Sequence, residues 1–205
     1  MSEPTPTKQE QFWSSDEGGG AYTQRNRVDW RKRVPFWEDV LKRTMPRSVL
    51  EVGANAGWNL SAMGECYPLA GPLPPKLVGV EINQAALEEA QRAGLDVRHA
   101  SARALPFRDG EFDLTFTAGM LIHVAPEDLP TVMGEIVRAS AHWILAVEYH
   151  DVVEVEVNYR GQDGLLWRRP FSKLYQERGL RLVDEWDAGA GFDRCRAYLL
   201  TKESA

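Results

Sequence analysis

Three carboxylates, two glycines and two histidines stand in this 205-residue chain at spacings that could do chemistry. Glu51 lies in a short apolar run, SVLEV at 48–52, which leads straight into Gly53-Ala54-Asn55-Ala56-Gly57, a turn of small residues. Asn59 then opens a stretch, 59–66, that can start a helix. A strand, a glycine turn and a helix in that order suit a nucleotide-like ligand, because backbone comes close at the turn and the helix start offers free N–H groups. Gly53 and Gly57 fit positions of positive φ or close approach, which cost a residue with a β-carbon more. Glu81 ends a second run, LVGVEI at 77–82, where a carboxylate can accept both hydroxyls of a ribose. His123 follows a fourth run at 114–117, and Glu148, Tyr149 and His150 leave a fifth, WILAVEY at 143–149. In an open parallel sheet these strand ends share one edge. His123 or His150 could therefore act as a base toward a hydroxyl bound there, with Glu148 as a further catalytic candidate.

Those groups need a doubly wound scaffold to bring them together, and the patterning predicts one. Helices are expected at 84–93, closed by Gly94, at about 126–139 with Pro126 and Pro130 at its start, and at 172–178 before Gly179. Trp30, Val34, Trp37 and Leu41 recur at helical spacing, and Pro35 makes that helix either kink or begin there. Residues 95–100 read as the third strand, while 180–187 and 196–201 read as a final antiparallel pair joined by Ala188-Gly189-Ala190-Gly191. Residues 152–159 alternate, as a strand or an extended loop would, and 68–76 is a proline-rich loop that ends any helix. Ahead of this, Phe12 and Trp13 precede Gly18-Gly19-Gly20, with Tyr22, Arg25 and Asn26 beyond. The aromatics either pack the arm onto the domain or make it a lid hinged at the glycines. The expected organisation is a mobile arm or lid over 1–27 and a single domain over 28–205.

A net charge of −6 gives no bulk attraction for nucleic acid, and 43% hydrophobic with 26% charged residues is a soluble globular composition. Cys66 and Cys195 lack metal-ligand spacing, the N-terminus has no apolar signal core, and no apolar run approaches ~20 residues. The expectation is a cytoplasmic protein with reduced thiols, no metal and no membrane partner.

A dinucleotide fingerprint would need glycine at 53, 55 and 58, where the chain has Gly53, Asn55 and Trp58, and no phosphate loop ending in Gly-Lys-Ser/Thr occurs. The stretch SVLEVGANAG resembles instead the first motif of class I S-adenosylmethionine (SAM) methyltransferases, an acidic residue followed by G-x-G-x-G. Glu51, Gly53 and Gly57 match, and Asn55 replaces the middle glycine; Asn is the residue after glycine that best tolerates left-handed backbone. More closely, the chain is similar to small methylases associated with pseudaminic acid biosynthesis. The matching stretches are 11–13 (QFW), 22–27 (YTQRNR), 48–60, 79–83 (GVEIN), 121–124 (LIHV), Glu148-Tyr149 and Tyr159-Arg160-Gly161, nearly the full length.

The resemblance implies an α/β, Rossmann-like, seven-stranded fold, mostly parallel with an antiparallel last strand and helices on both faces. It implies SAM as cofactor, leaving as S-adenosylhomocysteine, with no metal. Glu51 would lie near the methionine end, and Gly53, Ala54, Asn55, Gly57 and Asn59 would line the turn around the ligand. Glu81 and Ile82 would meet the ribose. Ser101 and Ala102 stand where the family usually sets an acid and a backbone N–H on the adenine; Ser101 offers a hydroxyl but no charge. Ala118 and Gly119 would back the sulfonium, while Trp13, Tyr22, Arg25 and Asn26 would close over it. The acceptor would be an oxygen or nitrogen of a small molecule, a sugar or other biosynthetic intermediate, touched by Tyr149, Tyr159 and Arg160. Arg160 would favour a carboxylate or phosphate. Two alternatives stand beside this reading. One is a methyltransferase of protein or nucleic acid, against which the acidic charge and the absence of an N/D-P-P-Y/F motif after strand four both speak. The other is a non-catalytic SAM-binding protein. The oligomeric state has no signature in the sequence.

Overall fold

The computed structural model describes residues 5–66 and 75–202. Helix α1 (Lys8–Ser14) begins at a capping box in which Thr7 and Glu10 satisfy each other's backbone N–H groups. A π-helical turn, Asp16–Gly20, joins it to α2 (Ala21–Arg25). The three glycines are therefore not an open break: Gly18 and Gly19 are buried, and a β-carbon on either would collide with the carbonyl oxygen of Phe12 or Trp13. A 3-10 turn, Trp30–Arg33, feeds α3 (Val34–Thr44), with Pro35 in its first turn. Of the two outcomes open to that proline, the helix starts there.

The domain then alternates strand and helix: β1 (Ser48–Val52), α4 (Trp58–Glu65), β2 (Lys76–Glu81), α5 (Gln84–Arg92), β3 (Val97–His99), β4 (Phe112–Ala118), α6 (Leu129–Ala139) and β5 (Ser140–Tyr149). It closes with β6 (Val155–Glu156), β7 (Trp167–Arg168), α7 (Phe171–Gln176), β8 (Leu180–Asp187) and β9 (Cys195–Lys202). Seven strands form one sheet in the order β3-β2-β1-β4-β5-β9-β8. β1 to β5 pair in parallel, and β9 runs antiparallel to both β5 and β8. This is the expected class I methyltransferase architecture. Chain order reverses at β1, flanked by β2 and β4, and that switch point opens a crevice at the strands' carboxyl ends.

Alternate residues face opposite layers, as a two-residue period requires. Val49, Leu114, Phe116, Leu145 and Val147 pack against Trp37, Val40, Leu41, Ala62 and Met63 of α3 and α4. Leu50, Val52, Ile144 and Ala146 pack against Val132, Met133 and Ile136 of α6 and Phe171 and Tyr175 of α7. The helices thus cover both faces. Some elements differ from expectation. β3 is only 97–99, and of the alternating stretch 152–159 Val155 and Glu156 pair with β7 in a two-stranded ribbon while Tyr159 bridges to Gln162. Alternation supplies a face but no partner strand, and Val152 and Val153 stay exposed. The proline-rich loop lies outside the described residues as far as residue 74. Among the described residues no helix is long and apolar enough to cross a membrane, and Cys66 and Cys195 are buried free thiols.

Candidate active site

The turns after β1, β2 and β4 form one cleft, lined from the arm by Thr7, Glu10, Trp13 and Tyr22 among others. Its floor is the glycine turn. Gly53 (φ 79°), Asn55 (φ 49°) and Gly57 (φ 76°) are all left-handed. Asn55 thus takes the conformation that the missing middle glycine would have taken at no steric cost. Its side chain is used too: Oδ1 accepts from Ala56 N at 2.8 Å, and Nδ2 donates to Thr23 Oγ1 at 2.9 Å. Gly57 caps α4 from behind the cleft, facing Leu95 and Ala90. Gly57→Ala is expected to cost about 1–3 kcal/mol, from the left-handed backbone and the collision with Leu95, read as a lowered urea midpoint.

Glu81 is buried, and its carboxylate is already engaged. Oε2 accepts from Asn55 N at 2.7 Å, and Oε1 accepts from Ile82 N at 2.9 Å and Asn83 N at 2.8 Å. It locks the glycine turn to the end of β2. Burial pushes its pKa up against those three bonds. A carboxylate has about four lone-pair sites, so a ligand hydroxyl can still be accepted.

Glu51 is different. It is 1% exposed; Oε1 accepts from Asn59 Nδ2 at 2.6 Å, while the buried Oε2 has no partner among the described residues. Burial raises its pKa to about 8, opposed by the Asn59 hydrogen bond and by the Arg33 charge. Asn59 Oδ1 accepts in turn from Arg33 Nη1 at 2.8 Å and Trp37 Nε1 at 3.2 Å, and Arg33 Nε donates to Gly191 O at 2.9 Å. An orphaned carboxylate oxygen and a largely buried guanidinium therefore stand together on the cleft wall.

Opposite them, residues 121–124 are clamped from both sides. The fully buried Glu148 accepts N–H groups of Met120, Leu121 and Ile122 at 3.2, 3.1 and 3.3 Å. The fully buried Arg169 donates to the carbonyls of Leu121 and Val124, both at 2.9 Å, and pairs with Glu154 at 2.6 Å. Burial raises Glu148 to about 7. What the clamp presents is His123. Its Nδ1 donates to Leu165 O at 2.7 Å, and burial pushes its pKa down to about 4. Trp13 lies over it with ring centroids 4.2 Å apart, and Tyr159 and Tyr22 follow at 5.4 and 6.0 Å.

Several hydrogen bonds tie the arm to the domain, Gln9 Nε2 to Gly164 O at 3.1 Å among them. Thr23 meets Asn55, and Asn83 Nδ2 lies 3.0–3.2 Å from the carbonyls of Trp13, Ser14 and Ser15. Glu10 accepts from the Ser101 hydroxyl and from Arg103.

Of the residues singled out from sequence, the cleft gathers Glu51, Gly53, Ala54, Asn55, Asn59, Glu81 and Ile82 from the first two strand ends. Ala102, Ala118, Gly119 and His123 join them from later turns, and Trp13 and Tyr22 from the arm. Ser101 is not in the lining itself and reaches it through Glu10 and Arg103. Several expectations need correcting. Glu148 does not face the cleft, because loop N–H groups consume its carboxylate. His150 Nδ1 bonds Tyr198 OH at 2.7 Å, and Tyr149 OH donates to Asp193, so strand five's end turns toward β9. Arg25 and Arg160 are exposed away from the lining, Arg160 at the left-handed tip of a turn. Asn26 donates only to Tyr22 O, one turn back. Arg33, Asn83, Glu10, Arg103 and Arg169 were not singled out. Two carried a local signal: Asn83 precedes an Ala-rich helix as an N-cap, and Glu10 completes a capping box with Thr7.

Residues 49–142 match the family described as methyltransferase domain. The fold is similar to that of a Burkholderia thailandensis 1,6-didemethyltoxoflavin-N1-methyltransferase, solved with 1,6-didemethyltoxoflavin and S-adenosylhomocysteine (16% identity, TM-score 0.72, 100% of this chain and 94% of that one). It is similar also to magnesium protoporphyrin IX methyltransferase from Synechocystis PCC 6803 with bound S-adenosylhomocysteine (12%, 0.66, 95% and 98%). A SAM-dependent methyltransferase from Aquifex aeolicus is a third such structure (15%, 0.64, 88% and 97%). No curated protein matches the sequence. The likeness at these identities is one of fold. The chain therefore has the fold of class I SAM-dependent methyltransferases, with the methyltransferase-domain match confined to residues 49–142.

Proposed function

We propose that the cleft holds SAM and that the chain directs its methyl group to an oxygen or nitrogen of a small-molecule acceptor. The observation that carries this reading is the free Oε2 of Glu51 beside Arg33. A buried carboxylate oxygen without a partner, next to a guanidinium, suits the ammonium and carboxylate of an amino-acid end, and Glu81 lies one strand over for a ribose. When bound, the cofactor supplies a methyl group already activated on a sulfonium, so the protein's part is alignment and exclusion of water. The arm over 1–27 does the excluding in this reading. Trp13 and Tyr22 cover the cleft as a lid, and Thr23 and Asn83 hold the lid down, on a single domain over 28–205.

On the acceptor side His123 is the group that orients. Its Nδ1–H is spent on Leu165 O, which leaves Nε2 bare as a hydrogen-bond acceptor. A histidine with pKa near 4 stays neutral across the working range and holds an acceptor's O–H or N–H in line, the proton released on methylation passing to bulk water. Trp13, Tyr22 and Tyr159 around it suit a flat or apolar acceptor better than a highly charged one. The substrates named for the two ligand-bound neighbours are small molecules. The similarity to methylases associated with pseudaminic acid biosynthesis favours a sugar-derived intermediate.

The test is release of S-adenosylhomocysteine on adding candidate sugars and heteroaromatic amines or alcohols to the full chain. Turnover with a small acceptor supports the reading, and turnover only with protein or nucleic acid overturns the acceptor class. His123→Gln is expected to lower kcat roughly 10- to 100-fold with cofactor affinity within about twofold. Neutral His123 also predicts no histidine limb in the kcat profile between about pH 5 and 8. Full turnover by the variant would remove His123 from the mechanism.

A further inference from the structure

Beyond Glu81 the cleft continues past the end of β3, where it changes character. Its walls there are Ile82, Ala100, Ala102 and Val132, small or apolar side chains suited to a flat ring. Polar side chains join them from the arm and from later turns, among them Gln9 and Glu10 of α1, Arg103, and Asp128 ahead of α6. Glu10 comes from 91 residues away in sequence to accept from the Ser101 hydroxyl. Its Oε2 also accepts from Thr7 N at 2.8 Å and Arg103 Nη1 at 3.2 Å. Three donors leave about one of the carboxylate's lone-pair sites open. Burial works to raise its pKa, but the bonds from Ser101, Thr7 and Arg103 outweigh it and keep the group ionised at neutral pH.

Resting on the SAM reading above, we propose that Glu10 is the base-selecting residue of the cleft: the arm lends a carboxylate to accept the exocyclic amine of adenine, which the end of β3 itself does not provide. The geometry favours Glu10 over Asp128, because Glu10 is anchored on Ser101, directly after β3, whereas Asp128 stands ahead of α6; Arg103 lies 3.2 Å from both carboxylates. Reading the base with the arm has a consequence. The same contact that selects adenine latches the lid, so a ligand with the wrong base both binds weakly and leaves the arm less firmly held.

The experiment compares two probes, S-adenosylhomocysteine and S-inosylhomocysteine, which differ in carrying an amine or a carbonyl on the six-membered ring. Calorimetric titration of the wild-type full chain should give a Kd for the inosyl form roughly 10- to 100-fold weaker, the range of a charge-assisted hydrogen bond lost. Glu10→Gln, whose amide can donate to that carbonyl, should bring the ratio to about 1, and Asp128→Asn should keep the wild-type ratio. Equal affinity of the wild type for both probes would overturn the proposal without any variant. An unchanged ratio in Glu10→Gln would reduce Glu10 to a latch. Failure of the wild type to bind S-adenosylhomocysteine at all would be a different result, since it would remove the SAM reading itself.

Discussion

Glu51→Gln should weaken S-adenosylhomocysteine binding by about 100-fold, ~3 kcal/mol, while leaving the fold intact. The carboxylate is buried with one oxygen on Asn59 and the other on nothing, an arrangement that costs free energy in the empty protein. A ligand ammonium repays that cost, and an amide at the same place cannot. Replacing one buried carboxyl by its neutral isostere should leave folding stability unchanged or slightly improved. The pH dependence has a definite sign. With its pKa raised to about 8, Glu51 is mostly protonated at pH 6 to 7.5 in the empty cleft. Pairing with an ammonium requires the ionised form, so binding releases a proton, and the Kd should fall by about tenfold per pH unit across that window. The dependence should flatten as pH passes about 8, and Glu51→Gln should be flat throughout the window. A wild-type Kd that does not move between pH 6 and 7.5 would contradict the assignment of the amino-acid end to Glu51.

Arg169→Met is the change expected to cost most in stability, about 3–5 kcal/mol. The guanidinium is fully buried and donates to two loop carbonyls and to Glu154. Its removal strands both carbonyls and leaves Glu148 to hold residues 121–124 from one side only. Because that loop carries His123, the folded fraction should also lose turnover while keeping most of its affinity for S-adenosylhomocysteine. Arg169→Lys should recover little, since one ammonium cannot span the carbonyls of Leu121 and Val124 as a planar fork does. Urea denaturation followed by tryptophan fluorescence reads the stability. A loss under about 1 kcal/mol would mean that the clamp is not what holds the loop.

What could be read from the chain beforehand follows a physical boundary. The glycine turn and the strand carboxylates were legible because each rests on local backbone demands: positive φ at 53, 55 and 57, and apolar runs ending in Glu. The same locality misled at Glu148 and His150. Their place at a strand end was right, but the direction of a side chain there depends on partners such as Met120 N and Tyr198, far off in sequence. Arg33 was hidden for the same reason. It sits in Arg31-Lys32-Arg33, three cations with nothing local to separate them, and only the contacts with Asn59 and Gly191 mark one of them as part of the site. Glu10 shows a residue whose visible local role, capping α1, coexists with a distant one at Ser101.

The most direct test is calorimetric titration of the purified full chain with SAM and with S-adenosylhomocysteine at pH 7.5. Saturable binding of one molecule per chain, weakened about 100-fold in Glu51→Gln, is the predicted result. No heat with either ligand would contradict the proposal that this cleft is a SAM site.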